Sequence, residues 1–163
     1  ADINSVPEFI ASTDEIYLVL SGRLGDFANP QKDVIRPAVE TLFENDFLSL
    51  RDRFNKPVII GIAYASAAGA ASGCVHSGDA CLPEYVLEQA GLDLPAVQQS
   101  LDEQAEIYNA VFEVINHTDW IAGVIASGYY PAVAIEDKSI SVRGKPAVDV
   151  IWYWFDHFLG AAP

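Results

Sequence analysis

Apolar residues fall into two patterns along this chain. Short continuous runs alternate with stripes spaced three and four residues apart. The runs are Ile16-Tyr17-Leu18-Val19-Leu20, Pro57 to Tyr64, and Trp120 to Ala126. Branched and aromatic residues in unbroken runs of this length predict strands buried on both faces, as in a parallel sheet. Gly22 and Gly25 end the first run, and Gly128-Tyr129-Tyr130-Pro131 breaks the third. The stripe Ile35, Val39, Leu42, Phe43, Phe47 and Leu50 predicts a helix over 33–54. Its Pro37 is expected near the helix start, where a missing N–H is harmless, and Asn55 offers a stop. Leu101, Ala105, Tyr108, Val111, Phe112 and Ile115 stripe a second helix that runs to about Asn116. Ser5-Val6-Pro7-Glu8 predicts a capped start for a short helix over 6–12. Gly144-Lys145-Pro146 opens a final helix over 147–159. Residues 65–95, rich in Ala, Gly and Ser, read as a long loop that is functional or specially anchored.

Strands that alternate with helices imply parallel pairing through right-handed crossovers. The fold class is therefore α/β, with three parallel strands and flanking helices. Three strands is a small count, and their edges would invite further pairing. It is about what the C-terminal part of a TIM-type (β/α)8 barrel would supply. The 163 residues read as a single partial-barrel domain. The final helix points the same way. Val148, Ile151, Phe155 and Phe158 can cover one stripe, while Trp152 and Trp154 face other sides. One large aromatic side chain is thus left to meet a second surface, either another chain or the missing part of the barrel.

Charge narrows the function. The chain carries 9 Lys+Arg against 23 Asp+Glu, a formal net charge of −14. Nucleic-acid binders need a basic footprint to release counterions, so no nucleic-acid partner is expected. No apolar run reaches about 18 residues, so no membrane insertion is expected. Methionine is absent and the chain begins Ala1-Asp2-Ile3, so a processed N-terminus is expected.

Four stretches carry a resemblance. Lys56-Pro57-Val58-Ile59 opens a strand, and Asp102-Glu103-Gln104-Ala105 with Tyr108-Asn109-Ala110 lies on a helix. Trp120-Ile121-Ala122-Gly123-Val124 and Arg143-Gly144-Lys145-Pro146-Ala147 follow in order. In this order they resemble the C-terminal part of β/α-barrel glycoside hydrolases, and among them the β-mannanase-like members of the large retaining clan. The resemblance spans about residues 14–160 and implies the last three strand–helix units of the barrel. It also implies a carboxylate nucleophile at the end of the seventh strand, in a pattern like Lys-Pro-Val-Ile-Ser-Glu-x-Gly-Tyr. On that pattern Lys56, Pro57, Val58, Ile59 and Tyr64 match, and the glutamate position falls on Gly61. The acid/base of the family belongs to a fourth strand that this chain does not contain. The tryptophan that the family places after its eighth strand is replaced by the stretch Ile125-Ala126-Ser127. A retaining mechanism needs two carboxyl groups about 5–5.5 Å apart, and this chain supplies neither at its family position.

Other residues offer chemistry, each beside a plainer reading. Asp79 and Glu84 follow the second strand, and Glu136 and Asp137 follow the third, on the side where barrel enzymes keep their sites. Their plain reading is a solvated acidic loop. Tyr64, Tyr129 and Tyr130 fall at the C-terminal ends of strands and are candidate sugar-stacking rings; the plain reading is core or rim packing. Cys74-Val75-His76-Ser77-Gly78-Asp79-Ala80-Cys81 admits a disulfide, a metal cluster or free thiols. The spacing matches no common zinc pattern, so a Cys74–Cys81 bridge is expected and no metal is. Closing so short a ring contributes about 2.5 kcal/mol by the loop-entropy argument. A bridge, together with the missing methionine, suggests an extracellular or cell-surface setting. Ser127 lacks a nucleophile elbow. His117 and His157 read as surface residues, and Asn116-His117-Thr118 fits a glycosylation triplet. No phosphate-binding glycine loop occurs, and no cofactor is expected. Two functions remain. The first is a non-catalytic, glycoside-hydrolase-like domain that binds carbohydrate or serves in assembly. The second is a fragment of an active hydrolase of β-linked polysaccharide.

Overall fold

The structure is a computed structural model that describes residues 6–25, 31–88, 94–130 and 136–160. Three strands, β1 (Ile16–Leu20), β2 (Val58–Ile62) and β5 (Ile121–Ala126), form one parallel sheet in the order β1-β2-β5. Helices α1 (Lys32–Leu42), α2 (Leu48–Phe54), α3 (Leu101–Asn116) and α4 (Ala147–Phe158) connect or follow these strands. A π-helical turn, Phe43–Phe47, joins α1 to α2 so that the stripe read over 33–54 runs on unbroken. Asn55 ends it in the left-handed conformation, φ 51°, with its N–H on Arg51 O.

Pro37 lies inside α1, not at its start. At the helix start Val34 N–H and Ile35 N–H both donate to Gln31 O. Proline at the next turn therefore removes a single donor, and the helix absorbs that loss. The short N-terminal helix is a 3-10 turn, Glu8–Ser12; the Ser5 cap falls outside the described residues.

α3 packs between α1 and α4, so the helices form one layer over one face of the sheet. Ile16, Leu20, Val58, Ile60 and Ile62 meet Ile35, Val39, Phe43, Ile107, Val111, Phe112, Ile151 and Trp154 in that core. The other face corrects the expectation of strands buried on both sides. Register places Val19, Gly61 and Ile125 side by side, with Tyr17 two positions earlier on the same face. Tyr17 is 47% exposed, Val19 50% and Ile125 46%. Only β2, flanked by both neighbours, is covered as its run predicted.

The loop over 65–95 also proves more structured than its composition suggested. It holds a 3-10 turn at Ala70–Ser72 and an antiparallel hairpin, β3 (Val75–Ser77) and β4 (Ala80–Leu82). The Gly78-Asp79 turn closes the hairpin, with Gly78 at φ +62°. Cys74 and Cys81 are joined by a disulfide across it.

Candidate functional site

The C-terminal ends of the three strands open onto a cleft of about 220 Å³. Val19 and Ser21 line it from β1 and its exit, Ala63 from the exit of β2, and Ser127 from the exit of β5. Glu88, Tyr130 and Ile140 complete the wall. This is the end at which barrel proteins assemble their sites from strand–helix loops. A second hollow of about 340 Å³ opens at the opposite end, near Phe43, Leu48, His117 and Trp120. In barrels that end serves stability rather than catalysis, and we assign the hollow no chemistry.

Three exits are held in place by backbone bonds that continue the sheet. Ala63 N–H donates to Leu20 O at 2.9 Å, and Ser127 N–H to Ile62 O at 2.9 Å. Gly128 then turns with φ +84°, and its backbone lies so close to Ile140 that a Cβ would meet Ile140 O at 2.6 Å. Only glycine allows both the turn and this approach.

The three candidate tyrosines part company here. Tyr64 is wholly buried, and its hydroxyl donates to Gly22 O at 2.8 Å. It is a core residue that ties the β1 exit to β2, which corrects its assignment as a sugar-binding ring. Tyr130 lines the cleft and donates its hydroxyl to Glu88 O at 2.6 Å. Tyr129 is exposed and faces the neighbouring groove with Trp152, with the Arg143 guanidinium 5.4 Å from its ring centre.

Gly61 sits on the open face of the sheet, level with Val19. The Tyr17 ring crosses it: a Cβ at position 61 would meet the Tyr17 hydroxyl and lie 2.7 Å from Cζ. Any side chain here must first displace that ring.

The carboxylates also separate. Asp79 is exposed in the hairpin turn, and Glu136 is exposed. Glu84 lies in the 3-10 turn Glu84–Leu87. Asp137 is not a solvated loop acid, which corrects its plain reading. Its side chain is 8% exposed and pairs with Lys145 at 3.1 Å. Burial lowers the Lys145 pKa, and the Asp137 carboxylate opposes that shift.

Glu103 and Gln104, in the sequence only parts of a motif, are both buried supports of the site. The Glu103 carboxylate accepts from Gly69 N–H and Ala71 N–H, each at 3.0 Å. Gln104 Nε2 donates to Tyr64 O at 2.8 Å. Tyr108 donates its hydroxyl to Ile62 O at 2.9 Å, and burial pushes its pKa far up. Helical spacing marks Tyr108 as a core residue, but no periodic signal marks Glu103 and Gln104 or shows what any of the three bonds to, since their partners lie in distant loops. Burial also raises the Glu103 pKa, and the two amides only partly offset it. The folded state therefore holds this proton to a higher pH than the unfolded chain does. Stability contributed by Glu103 is full below the ordinary glutamate value, about 4.3, and is lost as pH rises through the raised one. Glu103→Gln is expected to remove this downward slope just above pH 4.5, read by denaturant midpoints across pH. An unchanged slope would show that the acid titrates as an exposed one.

Among the described residues no cluster of three or more His, Cys, Asp or Glu could hold a metal ion. No helix there is long and apolar enough to cross a membrane.

No protein-family model matches the chain, and no curated protein does. Solved structures do. The chain superimposes on a GH113 beta-1,4-mannanase with a TM-score of 0.63 at 19% identity, covering 91% of this chain and 41% of that one. A second structure, of a GH113 beta-1,4-mannanase complex, gives 0.60 at 20% identity with the same shares. A beta-glucuronidase from an uncultured Clostridium sp. gives 0.50 at 14% identity, covering 90% of this chain and 23% of that one. The fold is thus shared with part of TIM-barrel glycoside hydrolases, and the chain spans about two fifths of the mannanase's length.

Proposed function

We propose that this chain is a non-catalytic, glycoside-hydrolase-like domain that binds β-linked carbohydrate in the cleft at the C-terminal ends of its strands. Gly61 carries this reading. It stands on the cleft-side face of β2, where the resemblance puts the nucleophile, and it offers no carboxylate. Among the described residues, the acidic residue that lines the cleft is Glu88, whose backbone carbonyl accepts from Tyr130. Double displacement needs two carboxyl groups about 5–5.5 Å apart. What the cleft does offer is the Ser21 and Ser127 hydroxyls and an aromatic ring, Tyr130. Hydroxyls and a ring face suit the polar edges and the C–H faces of a sugar. Tyr129 and Trp152, both exposed, line a separate groove against α4 and offer a second aromatic surface.

The Cys74–Cys81 bridge supports an extracellular or cell-surface setting. The open sheet face supports an assembly role as well, with another chain or the rest of a barrel as partner. The similarity in fold to the mannanases favours a second reading, in which this is a fragment of an active hydrolase.

The test is calorimetry with β-1,4-linked manno-oligosaccharides, beside turnover assays on β-mannan, β-glucan and aryl glycosides. Binding without turnover is expected, weakened tenfold or more by Tyr130→Ala. Turnover abolished by substituting Asp79, Glu84, Glu88, Glu136 or Asp137 would overturn the non-catalytic reading. Absence of any binding would overturn the carbohydrate reading.

A further inference from the structure

The cleft wall at Ile140 belongs to no strand. Its backbone is satisfied piecemeal. Ile140 N–H donates to Leu87 O at 3.0 Å, Val142 N–H to Gly128 O at 3.0 Å, and Ser141 N–H to Ser139 Oγ at 3.1 Å. A segment without a ladder needs another source of order. Lys145 supplies it. The residue sits just before α4, where a cation opposes the positive end of the helix dipole. It is also 2% exposed, and a buried charge is tolerated only when paired and hydrogen-bonded. Here Nζ donates to Ser66 Oγ at 2.9 Å, to Asp137 Oδ2 at 3.1 Å and to Ser139 O at 3.1 Å. Those three partners match the three protons of an ammonium.

The partners come from two loops. Ser66 follows the exit of β2, while Asp137 and Ser139 belong to the wall. Ser66 adds its own N–H to Ser139 O at 3.1 Å, and its hydroxyl donates to Asp137 O at 2.9 Å. Ser139 Oγ in turn donates to Asp137 Oδ2 at 2.5 Å. The other charged groups of the packed elements are exposed, like Asp102, Glu136 and Asp149, or engaged elsewhere. Glu103 on α3 holds Gly69 and Ala71, Lys138 donates to Leu94 O, and Arg143 lies over Tyr129. Ser66 and Lys145 do not form a nucleophilic dyad, since the ammonium donates to the hydroxyl and Ser66 is wholly buried.

We propose that Lys145 is a positioning residue: without lining the cleft, it locks the wall carrying Ile140 to the loop that leaves β2, through Asp137, Ser66 and Ser139. Its effect on ligand rests on the carbohydrate reading above, while its effect on the wall does not. Removing the ammonium takes the charged donor from the buried Asp137 carboxylate and a donor each from Ser66 Oγ and Ser139 O. The wall then opens to hydrate them, while the helix layer stays closed.

Amide hydrogen exchange on the full chain tests this. In Lys145→Met, exchange at the Ile140 and Val142 amides is expected to rise tenfold or more at neutral pH. The α3 amides at Ile107 and Val111 are expected to keep their protection. The rise should shrink at acid pH, where protonation removes the carboxylate charge that the ammonium offsets. Asp137→Asn keeps the shape and removes the acid. It is expected to show the rise with no such pH dependence, and it serves if Lys145→Met fails to fold. Wild-type exchange at Ile140 and Val142 in a folded variant would overturn the proposal, as would a rise shared equally with α3. A parallel titration with a β-1,4-linked mannohexaose should show affinity at least tenfold weaker in Lys145→Met. If the wild type does not bind the sugar, the carbohydrate reading fails while the exchange data still decide the lock.

Discussion

Phe112→Ala is expected to lower the free energy of unfolding by about 3–5 kcal/mol. Phe112 is wholly buried on α3 and its ring meets four others. Tyr108 lies 5.9 Å away, Trp154 6.4 Å, Phe155 5.8 Å and Phe158 6.0 Å between centres. Three of these belong to α4. The substitution therefore removes a large apolar side chain and also the knob on which α4 is seated. Trp154 is held from the same helix by one polar bond, Nε1–H to Asn109 Oδ1 at 2.9 Å. That bond alone contributes about 1 kcal/mol and cannot replace the ring cluster. Urea unfolding followed by tryptophan fluorescence measures the loss. A loss below about 1 kcal/mol, far from the range for buried Phe→Ala, would show that α4 is not seated through α3.

That cluster was legible in the sequence because its signal is local. Tyr108, Phe112 and Ile115 recur at helical spacing, and Phe155 and Phe158 do the same on α4. The three main strands were legible for the same reason: each is a single apolar run. What a strand's second face meets is not local. Tyr17 and Ile125 look like buried strand residues until the sheet order puts β1 and β5 at its edges. The hairpin β3–β4 did have a signal, a Gly78-Asp79 pair between two short segments, but its small residues read as loop. The site was harder still. Asp137 and Lys145 lie eight residues apart on an irregular segment, where no period links them. Tyr64 and Tyr130 follow similar apolar runs, yet the hydroxyl of one is aimed into the core and the other lines the cleft.

The isolated chain is expected to associate in solution, and to do so more strongly as salt is raised. The open face of the sheet presents Tyr17, Val19 and Ile125, each about half exposed. Both edges of the sheet, along β1 and β5, lack a strand partner among the described residues. On α4, Trp152 and Tyr153 are exposed while Trp154 is buried. The sequence predicted one aromatic side chain outside the core on that helix, and two are exposed. Completing the burial of each half-exposed side chain contributes about 1 kcal/mol, and exposed patches of this kind mark interfaces. Against this stands a net charge of −14. Two copies repel, and the repulsion is screened as the Debye length falls from about 10 Å at 0.1 M to about 3 Å at 1 M salt. Light scattering at tens of micromolar should therefore report a mass that grows from low to high salt. Tyr17→Lys with Ile125→Lys should return the monomer, because each places an ammonium on the apolar face. A monomer that unfolds cooperatively and keeps its mass in 1 M salt would contradict the prediction. It would mean that the half-exposed face of β1 and β5 is stable in water without a partner.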